Sequence, residues 1–434
     1  MSKQKNLIIV GGGFGGISVA KNLKGTDIDV TIVDKRNHHL FQPLLYQVAT
    51  AALSPGDVAV PIRSIFSSSD NIKTILGEVT EIDKDKKILH LKNRSPLNFD
   101  YLVLATGSQY NYFGNEEWKD HAPGLKSIDD ALNIRERILY SLEIADQLQT
   151  DEEKEPYLTY AVIGAGPTGV EMAGAIAEIA KRNMMRDYRN IDPDKTKIYL
   201  IEAGPKVLNG YHDSLSEKAT RDLEGMGVTV LLNQPVTEVT KNSVTAGGTV
   251  INTPNLVWAA GVESSPVLNS LSVEQDKIGR VLVSKDLSID GYPNIFVIGD
   301  AAHVEDKSGE PLPALAPVAL QQGKYIAKRI KHMVSGKDTK PFSYTDKGSM
   351  ATIGRAKAVA DIKGFKFSGI AAWLLWSLIH IFFLIGYRNR FRVFAEWIWH
   401  YLTFKRGVRI IYDRLYESNS DKDETSSSYI ESIK

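Results

Sequence analysis

Two glycine-rich turns have the residue types and the spacing that bind the phosphates of a dinucleotide. The first turn follows an apolar run, Asn6 to Val10, and precedes a helical pattern that begins at Ile17. Its glycines allow a tight bend and close approach of the backbone to a pyrophosphate, which the helix N-terminus then faces. An acid at the end of the next strand can accept hydrogen bonds from a ribose. The residues that we predict to bind this nucleotide are Gly11, Gly13, Phe14, Gly15, Gly16, Asp34 and Lys35.

The same pattern returns in the middle of the chain, after the apolar run Thr159 to Ile163. A lone glycine turn is often only structural, but strand, turn, helix, strand and acid occurring twice predict two nucleotide sites. The acid here, Glu202, favours NADH over NADPH because a carboxylate repels a 2′-phosphate. A solvated glutamate at a strand end is the alternative, and Lys206 nearby is a cation. The predicted residues are Gly164, Gly166, Pro167, Thr168, Gly169 and Glu202.

Composition excludes several classes of function. The 434 residues carry a formal net charge of 0, so there is no overall basic field to favour nucleic acid, and we expect no nucleic-acid partner. Cysteine is absent, which excludes disulfides, thiolate metal sites and every mechanism that needs a cysteine nucleophile or dithiol. We assign no metal site. The N-terminus lacks the pattern of a secretory signal, so we expect a cytoplasmic protein.

Two later segments resemble the FAD motifs of flavoreductases that have two dinucleotide-binding domains. These segments are Tyr101 to Ser108 and Ile298 to Ala302. The resemblance implies that the N-terminal site holds FAD, that Asp300 lies near the ribityl-phosphate region, and that the inserted unit binds the nicotinamide nucleotide. A turn or helix-cap role is the alternative for Asp300. The further FAD residues implied are Ala105, Thr106, Gly107, Gly299 and Asp300.

Six further segments resemble the type II NADH dehydrogenases. They are 37–50, 53–55, 61–63, 164–174, 258–262 and 316–323. The resemblance implies transfer of electrons from NADH through FAD to a quinone, with Ala260 and Gly261 at the nicotinamide nucleotide. It gives Glu171 a supporting catalytic role between the nicotinamide and quinone sides. Stabilisation of a helix's first turn is the alternative for this acid.

The resemblance also implies a quinone route along two segments. Gln321 is the candidate hydrogen-bond donor to a quinone carbonyl, and a glutamine at a helix start with no ligand is the alternative. The chain departs from the family pattern at Pro317, where members often have glutamine, and at Leu320, where some have histidine, which puts the headgroup contacts in doubt. The implied quinone-binding residues are Gln42, Pro43, Leu44, Ala316, Pro317 and Gln321.

The C-terminal segment has the composition of a membrane contact. A strongly apolar run, 371–387, is followed by a stretch in which tryptophan and tyrosine alternate with basic residues. This pattern favours helices that lie at the membrane interface, with their cations at anionic headgroups. A spanning helix and an ordinary core or dimer helix are the alternatives, and His380 is either a quinone contact or an interfacial histidine. The basic residues are Arg388, Arg390, Arg392, Lys405, Arg406 and Arg409.

Together these observations predict an α/β fold, with two doubly wound Rossmann-like dinucleotide-binding domains and a C-terminal helical extension that associates with a membrane. We expect a non-proton-pumping NADH:quinone oxidoreductase that uses FAD and NADH and takes menaquinone or ubiquinone. We further expect a homodimer, bound peripherally to the cytoplasmic face of the inner membrane. A soluble NADH-dependent reductase of ferredoxin or rubredoxin type and an NADH-sensing flavoprotein without turnover are the alternatives. The predicted segments are FAD domain 1–155 and 289–345, NADH domain 156–288, membrane-anchoring region 346–420 and flexible tail 421–434.

Overall fold

The computed structural model describes residues 5–180, 187–403 and 408–411. The strands of this part of the chain are β1 (Lys5–Val10), β2 (Ile28–Asp34), β3 (His38–Leu40), β4 (Ala59–Pro61), β5 (Ile72–Leu76), β6 (Val79–Asp83), β7 (Ile88–Leu91), β8 (Arg94–Asn98), β9 (Tyr101–Leu104), β10 (Ser108–Tyr110), β11 (Thr159–Ile163), β12 (Lys197–Ile201), β13 (Val228–Leu231), β14 (Val236–Val239), β15 (Ser243–Ala246), β16 (Thr249–Asn252), β17 (Asn255–Trp258), β18 (Val262–Ser264), β19 (Val281–Leu282), β20 (Ser288–Ile289), β21 (Tyr292–Val297), β22 (Ala302–His303), β23 (Ser349–Gly354), β24 (Lys357–Ile362) and β25 (Phe365–Ser368).

The helices are described in the same chain order. The α-helices are α1 (Phe14–Leu23), α2 (Leu45–Ala49), α3 (Pro55–Val58), α4 (Ile62–Ile65), α5 (Trp118–His121), α6 (Ile128–Gln147), α7 (Asp151–Lys154), α8 (Pro167–Glu178), α9 (Asp213–Glu224), α10 (Ala316–Val334), α11 (Ile370–Phe383) and α12 (Tyr387–Thr403). Short 3₁₀ turns lie at Gln42–Leu44, Pro193–Lys195, Pro266–Leu271 and Gly299–Ala301.

The chain divides into two compact units whose boundaries differ from the predicted domains. The residues at 41–58 and 112–155 belong to the second unit, and those at 262–288 belong to the first. Which ligand each segment binds stays a prediction. The first unit comprises Met1–Leu40, Ala59–Asn111 and Val262–Lys347, and the second comprises Phe41–Val58, Tyr112–Gly261 and Gly348–Lys434.

The first unit is built on a six-stranded sheet in the order β20-β21-β9-β1-β2-β5. The inner strands are parallel and their apolar runs are buried, as expected for a sheet that is covered on both faces. Helix α1 crosses from β1 to β2 and packs closely against α10, where the Ser18 hydroxyl donates to the Leu320 carbonyl over 2.9 Å. This helix begins at Phe14, three residues earlier than the sequence pattern suggested, because Gly13 already has the extended conformation of an N-cap.

The second unit repeats the arrangement with a four-stranded parallel sheet in the order β13-β12-β11-β17. Helix α8 connects β11 to β12 and packs against β23, since Gly174 has no side chain to separate it from the Ile353 carbonyl. The described residues 187–192, which precede β12, are not helical. Asp192 instead caps a 3₁₀ turn by accepting from the backbone N–H of Asp194. The intervening residues 181–186 lie outside the described part of the chain.

The C-terminal part of the second unit is an antiparallel sheet, β23-β24-β25, followed by α11 and α12. The sequence predicted a helical region here and missed the sheet. Helix α11 packs on it through Ala372 and Trp376, while most other large apolar side chains of α11 and α12 are exposed. In the part of the chain that the structure describes, no helix is both long and apolar enough to cross a bilayer. Lys405, Arg406 and the predicted tail at 421–434 lie outside the described residues.

Candidate active site

The first glycine turn, Gly11 to Gly16, forms a cradle, that is, a backbone surface open to a ligand on one side. Its other side is packed too closely against the backbone to admit side chains. Gly11 has a φ of +107°, and a Cβ there would overlap the Ala105 carbonyl oxygen. A Cβ on Gly16 would overlap the Gly11 carbonyl oxygen, whereas one on Gly13 would meet no described heavy atom within 4 Å. The open face beside the N-terminus of α1 therefore fits a dinucleotide pyrophosphate.

Asp34 fixes the shape of this turn as well as presenting a carboxylate. Its Oδ2 accepts from the backbone N–H of Gly12 over 2.6 Å, and its Oδ1 accepts from the N–H of Arg36 over 2.7 Å. A carboxylate oxygen accepts more than one hydrogen bond, so the group retains capacity for a ribose diol. Lys35, also predicted to bind the nucleotide, has an exposed side chain.

The implied FAD residues lie in the segments that follow β9 and β21, two neighbouring parallel strands. Ser108 donates its hydroxyl to Asp300 Oδ2 over 2.7 Å, and Gln322 Oε1 accepts from the backbone N–H of Gly299 over 2.6 Å. The Thr106 hydroxyl is buried and has no hydrogen-bond partner among the described residues. A buried hydroxyl of this kind fits a site whose polar ligand supplies the missing bond.

His39 was missed by the sequence analysis as a member of the first cradle. Its Nδ1 lies 2.9 Å from the Gly12 carbonyl oxygen, and its ring meets Phe14 edge-on at 5.2 Å. Burial lowers the pKa of the His39 imidazole to about 4, even though the bond to Gly12 acts in the opposite direction. The alternation along β3 places His39 on the buried face, which is the signal that identifies it.

The second glycine turn has the same construction in the other unit. Gly164 has a φ of +99°, and a Cβ there would lie 2.7 Å from the Ala260 backbone nitrogen. A Cβ on Gly169 would overlap the Gly164 carbonyl oxygen, while one on Gly166 would meet nothing described within 4 Å. This cradle therefore also fits a dinucleotide, with Pro167 and Thr168 opening α8 at its edge.

Glu202 holds the second turn as Asp34 holds the first. Its Oε2 accepts from the backbone N–H of Ala165 over 2.7 Å, and its Oε1 accepts from the N–H of Gly204 over 2.8 Å. The nearby Lys206 is paired with Asp213, Nζ to Oδ1, over 2.6 Å. The cation that complicated the prediction of NADH is thus engaged by another carboxylate.

Gly261 follows β17 at a point where aromatic rings crowd the backbone. It has a φ of +66°, and a Cβ there would lie 2.5 Å from the Phe113 ring. Trp258, at the end of the same strand, is buried and stacks on Tyr112 with their ring centroids 5.0 Å apart. Ala260 and Gly261 are therefore held rigidly next to the second cradle.

A cavity within the second unit brings Glu171 together with aromatic residues of the C-terminal helices. Its empty volume is about 910 Å³, which includes the open mouth. Glu171, Ala175 and Glu178 lie on one face of α8 and form one wall. The other lining residues include Tyr46, Gln47, Thr352, Ile353, Arg355, Trp373, Trp376, Ser377, Trp397, His400 and Tyr401.

The pKa of the Glu171 carboxyl is raised, so that the group is mostly protonated at neutral pH. Burial raises its pKa to about 8, and a hydrogen bond from the Thr352 backbone acts in the opposite direction. Its side chain is partly buried and lines the cavity. A carboxylic acid in this position can donate a proton to a group that is reduced in the cavity.

The two segments predicted to bind quinone lie in different compact units, and none of their six residues lines this cavity. Gln42 Nε2 donates to the Lys126 carbonyl over 3.4 Å, and Leu44 is buried. The Gln321 amide bridges the Thr345 backbone, donating to its carbonyl over 2.9 Å and accepting from its N–H over 3.1 Å. Ala316 and Pro317 form the first turn of α10, which Pro favours. Quinone binding by these residues stays a prediction.

The fold and both cradles define a pyridine-nucleotide-dependent flavin oxidoreductase. Residues 5–323 match the family model described as pyridine nucleotide-disulphide oxidoreductase, and residues 347–406 match the NDH2 C-terminal domain. The chain is 41% identical over 429 residues to the type II NADH:quinone oxidoreductase Ndh of Mycobacterium tuberculosis, covering 95% of this chain and 91% of that protein. The structure is similar to that of NDH2 from Plasmodium falciparum in complex with NADH, with a TM-score of 0.87 at 23% identity, covering 94% of this chain and 100% of that one.

The chain belongs to the type II NADH:quinone oxidoreductases. A further relative, from Staphylococcus aureus, is 31% identical over 385 residues, covering 87% of this chain and 94% of that protein. The sequence-based predictions of this family, of the α/β fold with two Rossmann-like domains, of FAD and NADH as cofactors and of NADH:quinone oxidoreductase activity are confirmed.

Proposed function

We propose that this protein oxidises NADH at the cradle of Gly164 to Gly169 and reduces a quinone in the cavity lined by Glu171. The observation that carries this proposal is the double use of α8. Its N-terminus closes the nucleotide cradle, and its side presents a protonated carboxylic acid to the cavity. When bound, FAD supplies the means to accept a hydride and to pass on two electrons.

Each group of residues has a defined task in this reaction. The first cradle and Asp34 hold the adenosine pyrophosphate of FAD, and the second cradle and Glu202 hold that of NADH. Reduction of a quinone to a quinol adds two electrons and two protons. The hydride of NADH accounts for both electrons and one proton, and Glu171 donates the other proton from within the cavity. The aromatic walls exclude water around the reacting headgroup.

The proposal is tested by anaerobic stopped-flow spectrophotometry on the purified protein with bound FAD. NADH should bleach the flavin absorption band, and a soluble short-chain quinone should restore it within milliseconds to seconds. Bleaching without restoration by quinone would overturn the assignment of quinone as the second substrate. A protein that takes up no flavin would overturn the assignment of the first cradle to FAD.

We further propose that the exposed apolar face of α11 and α12 contacts the cytoplasmic surface of the membrane. Large apolar side chains recur every three or four residues along both helices and face solvent, with Leu378 67% and Tyr387 88% exposed. The shared face consists of Ile370, Leu374, Leu378, Phe382, Tyr387, Phe391, Phe394, Ile398 and Leu402.

Cations border this face in the way that interfacial helices require. Arg388 is exposed, and the Arg390 guanidinium lies over the Phe382 ring at 5.7 Å. Arg392 instead pairs with Asp57, Nε to Oδ1, over 3.3 Å, and Arg409 pairs with Asp187. These two arginines therefore hold the C-terminal segment on the protein. Of the predicted basic residues that the structure describes, Arg388 and Arg390 are then left to meet anionic headgroups.

The membrane contact is tested by flotation with vesicles of zwitterionic and anionic lipid. Replacing Leu378 and Phe391 with serine should release the protein from both kinds of vesicle, because about 0.8 kcal/mol is lost for each methylene withdrawn from lipid. Val250→Ser is the matched control, since Val250 is exposed on β16 outside this face. Equal binding of the double variant and the control would contradict the proposal. The homodimer is a separate proposal, which sedimentation equilibrium tests.

A further inference from the structure

Two hydrogen-bond donors of residues that line the Glu171 cavity are buried without partners in the described part of the chain. The indole of Trp376 is only 2% exposed, and its Nε1 has no hydrogen-bond partner among the described residues. The hydroxyl of the next residue, Ser377, is likewise buried and unpartnered there. Both residues line the cavity.

The unpaired indole is not explained by poor packing. Trp376 stacks on His380 with a centroid separation of 4.0 Å and on Trp397 at 5.7 Å, so its ring is held firmly. Trp397 lines the same cavity, yet its Nε1 donates to Gln47 Oε1 over 2.7 Å. The indole N–H of Trp397 therefore has a protein acceptor, whereas that of its stacked neighbour Trp376 has none among the described residues.

An unpaired buried donor destabilises a fold by about 1–3 kcal/mol, and buried polar groups are nearly always paired. Such a donor in a ligand cavity points to a ligand that brings an acceptor. A quinone ring offers two carbonyl acceptors and an apolar remainder. The apolar part fits the cavity because Ile353, Trp373 and Tyr401 provide aliphatic and aromatic walls.

We propose that the indole N–H of Trp376 and the hydroxyl of Ser377 donate hydrogen bonds to the carbonyl oxygens of the bound quinone. This inference rests on the proposed function and names the residues that position its second substrate. The indole acts only as a donor, and so its partner is an acceptor such as a quinone carbonyl oxygen. Ser377 can donate to the quinone or accept from the quinol.

Trp376→Phe and Ser377→Ala test the proposal because each removes a donor and keeps most of the packing. The measurement is stopped-flow reoxidation of the NADH-reduced holoenzyme over a range of short-chain quinone concentrations. Each variant should raise the quinone concentration at half-maximal rate about tenfold, the effect of one lost hydrogen bond of ~1.4 kcal/mol. Bleaching by NADH and reoxidation by ferricyanide, which needs no carbonyl donor, should stay at the wild-type rate.

Thermal melting of the holoenzyme separates quinone positioning from a purely structural role. Because the Trp376 N–H has no hydrogen-bond partner among the described residues, Trp376→Phe loses only packing and should melt closer to the wild-type temperature than Trp397→Phe. Trp397→Phe breaks the bond to Gln47 and should melt lower. Unchanged quinone dependence in both Trp376→Phe and Ser377→Ala would overturn the inference, as would equal slowing with quinone and ferricyanide. Failure of quinone to reoxidise the wild-type enzyme would instead overturn the proposed function.

Discussion

Replacing Glu171 with glutamine removes a proton donor from the cavity and changes little else. Glutamine has nearly the same size, and its carbonyl oxygen can still accept the hydrogen bond from the Thr352 backbone. Since burial raises the pKa of the wild-type carboxyl to about 8, the group is about nine-tenths protonated at pH 7 and about one-tenth protonated at pH 9. The wild-type rate of quinone reduction should therefore fall about tenfold per pH unit above 8.

Glu171→Gln should also change how the free energy of unfolding depends on pH, because the pKa of Glu171 differs between the folded and unfolded states. Between the ordinary pKa of 4.5 and about 8, the folded protein keeps a proton that the unfolded chain has lost. Wild-type stability therefore declines as pH rises through this window and levels off above it. Within this window the decline is at most ~1.4 kcal/mol for each pH unit. Glu171→Gln should remove this decline.

The assay is the pH dependence of the quinone half-reaction from pH 6 to 10, followed by stopped flow at saturating quinone. Glu171→Gln should be slower by about 10²-fold at pH 7 and independent of pH, because general acid catalysis typically contributes 10²–10⁴-fold. Glu178→Gln is the matched control, since Glu178 lies on the same face of α8 and its oxygen accepts from the Arg355 backbone N–H over 2.5 Å. The proposed role of Glu171 as proton donor is contradicted if Glu171→Gln keeps the wild-type rate and pH profile, or if Glu178→Gln reproduces its defect.

Three further substitutions test the cradles. Gly169→Ala should abolish bleaching by NADH and leave FAD bound, because the new Cβ overlaps the Gly164 carbonyl oxygen in the unit that does not contain the first cradle; normal NADH kinetics would refute this. Glu202→Gln should lower the ratio of kcat/KM for NADH over NADPH about tenfold, since one charge repelling a 2′-phosphate is lost; an unchanged ratio would show that the acid does not read the ribose. In the wild type, the free energy of unfolding should fall as pH falls from 6.5 towards 4, because His39 is protonated in the unfolded chain and stays neutral when buried in the folded protein. His39→Gln should reduce this pH dependence. Urea titrations at several pH values measure this free energy, and an equal dependence on pH in wild type and variant would contradict the role of His39.

The fold was predictable because its determining signals are local and occur twice. The apolar runs that became β1 and β11 each lead into a glycine turn, and an acid ends each following strand, at Asp34 and Glu202. Spacing along the chain is enough to recognise such a unit. Spacing did not show that both acids would bond to their own turns, because that geometry depends on the twist of the finished sheet.

The cavity was only partly predictable because its walls come from distant parts of the sequence. Glu171 was identified through resemblance, but Trp376 and Ser377 belong to the run 371–387, which was interpreted as a membrane contact. Which side of α11 faces a cavity depends on its packing against β23 and β24, a tertiary contact that periodicity does not encode. Gln321 shows the converse, since its amide was expected to be available and is used by Thr345.

In the proposed function, helix α8 joins the two half-reactions, and this has a consequence for genetics. Its first turn completes the second glycine cradle, and one to three turns further on it borders the Glu171 cavity. A rotation of the helix by a few degrees therefore changes both ends together. Genetic selections for altered nucleotide preference should yield substitutions in the first turn of α8. Such variants should also change in sensitivity to inhibitors that compete with quinone, although no residue of the inhibitor's pocket is substituted.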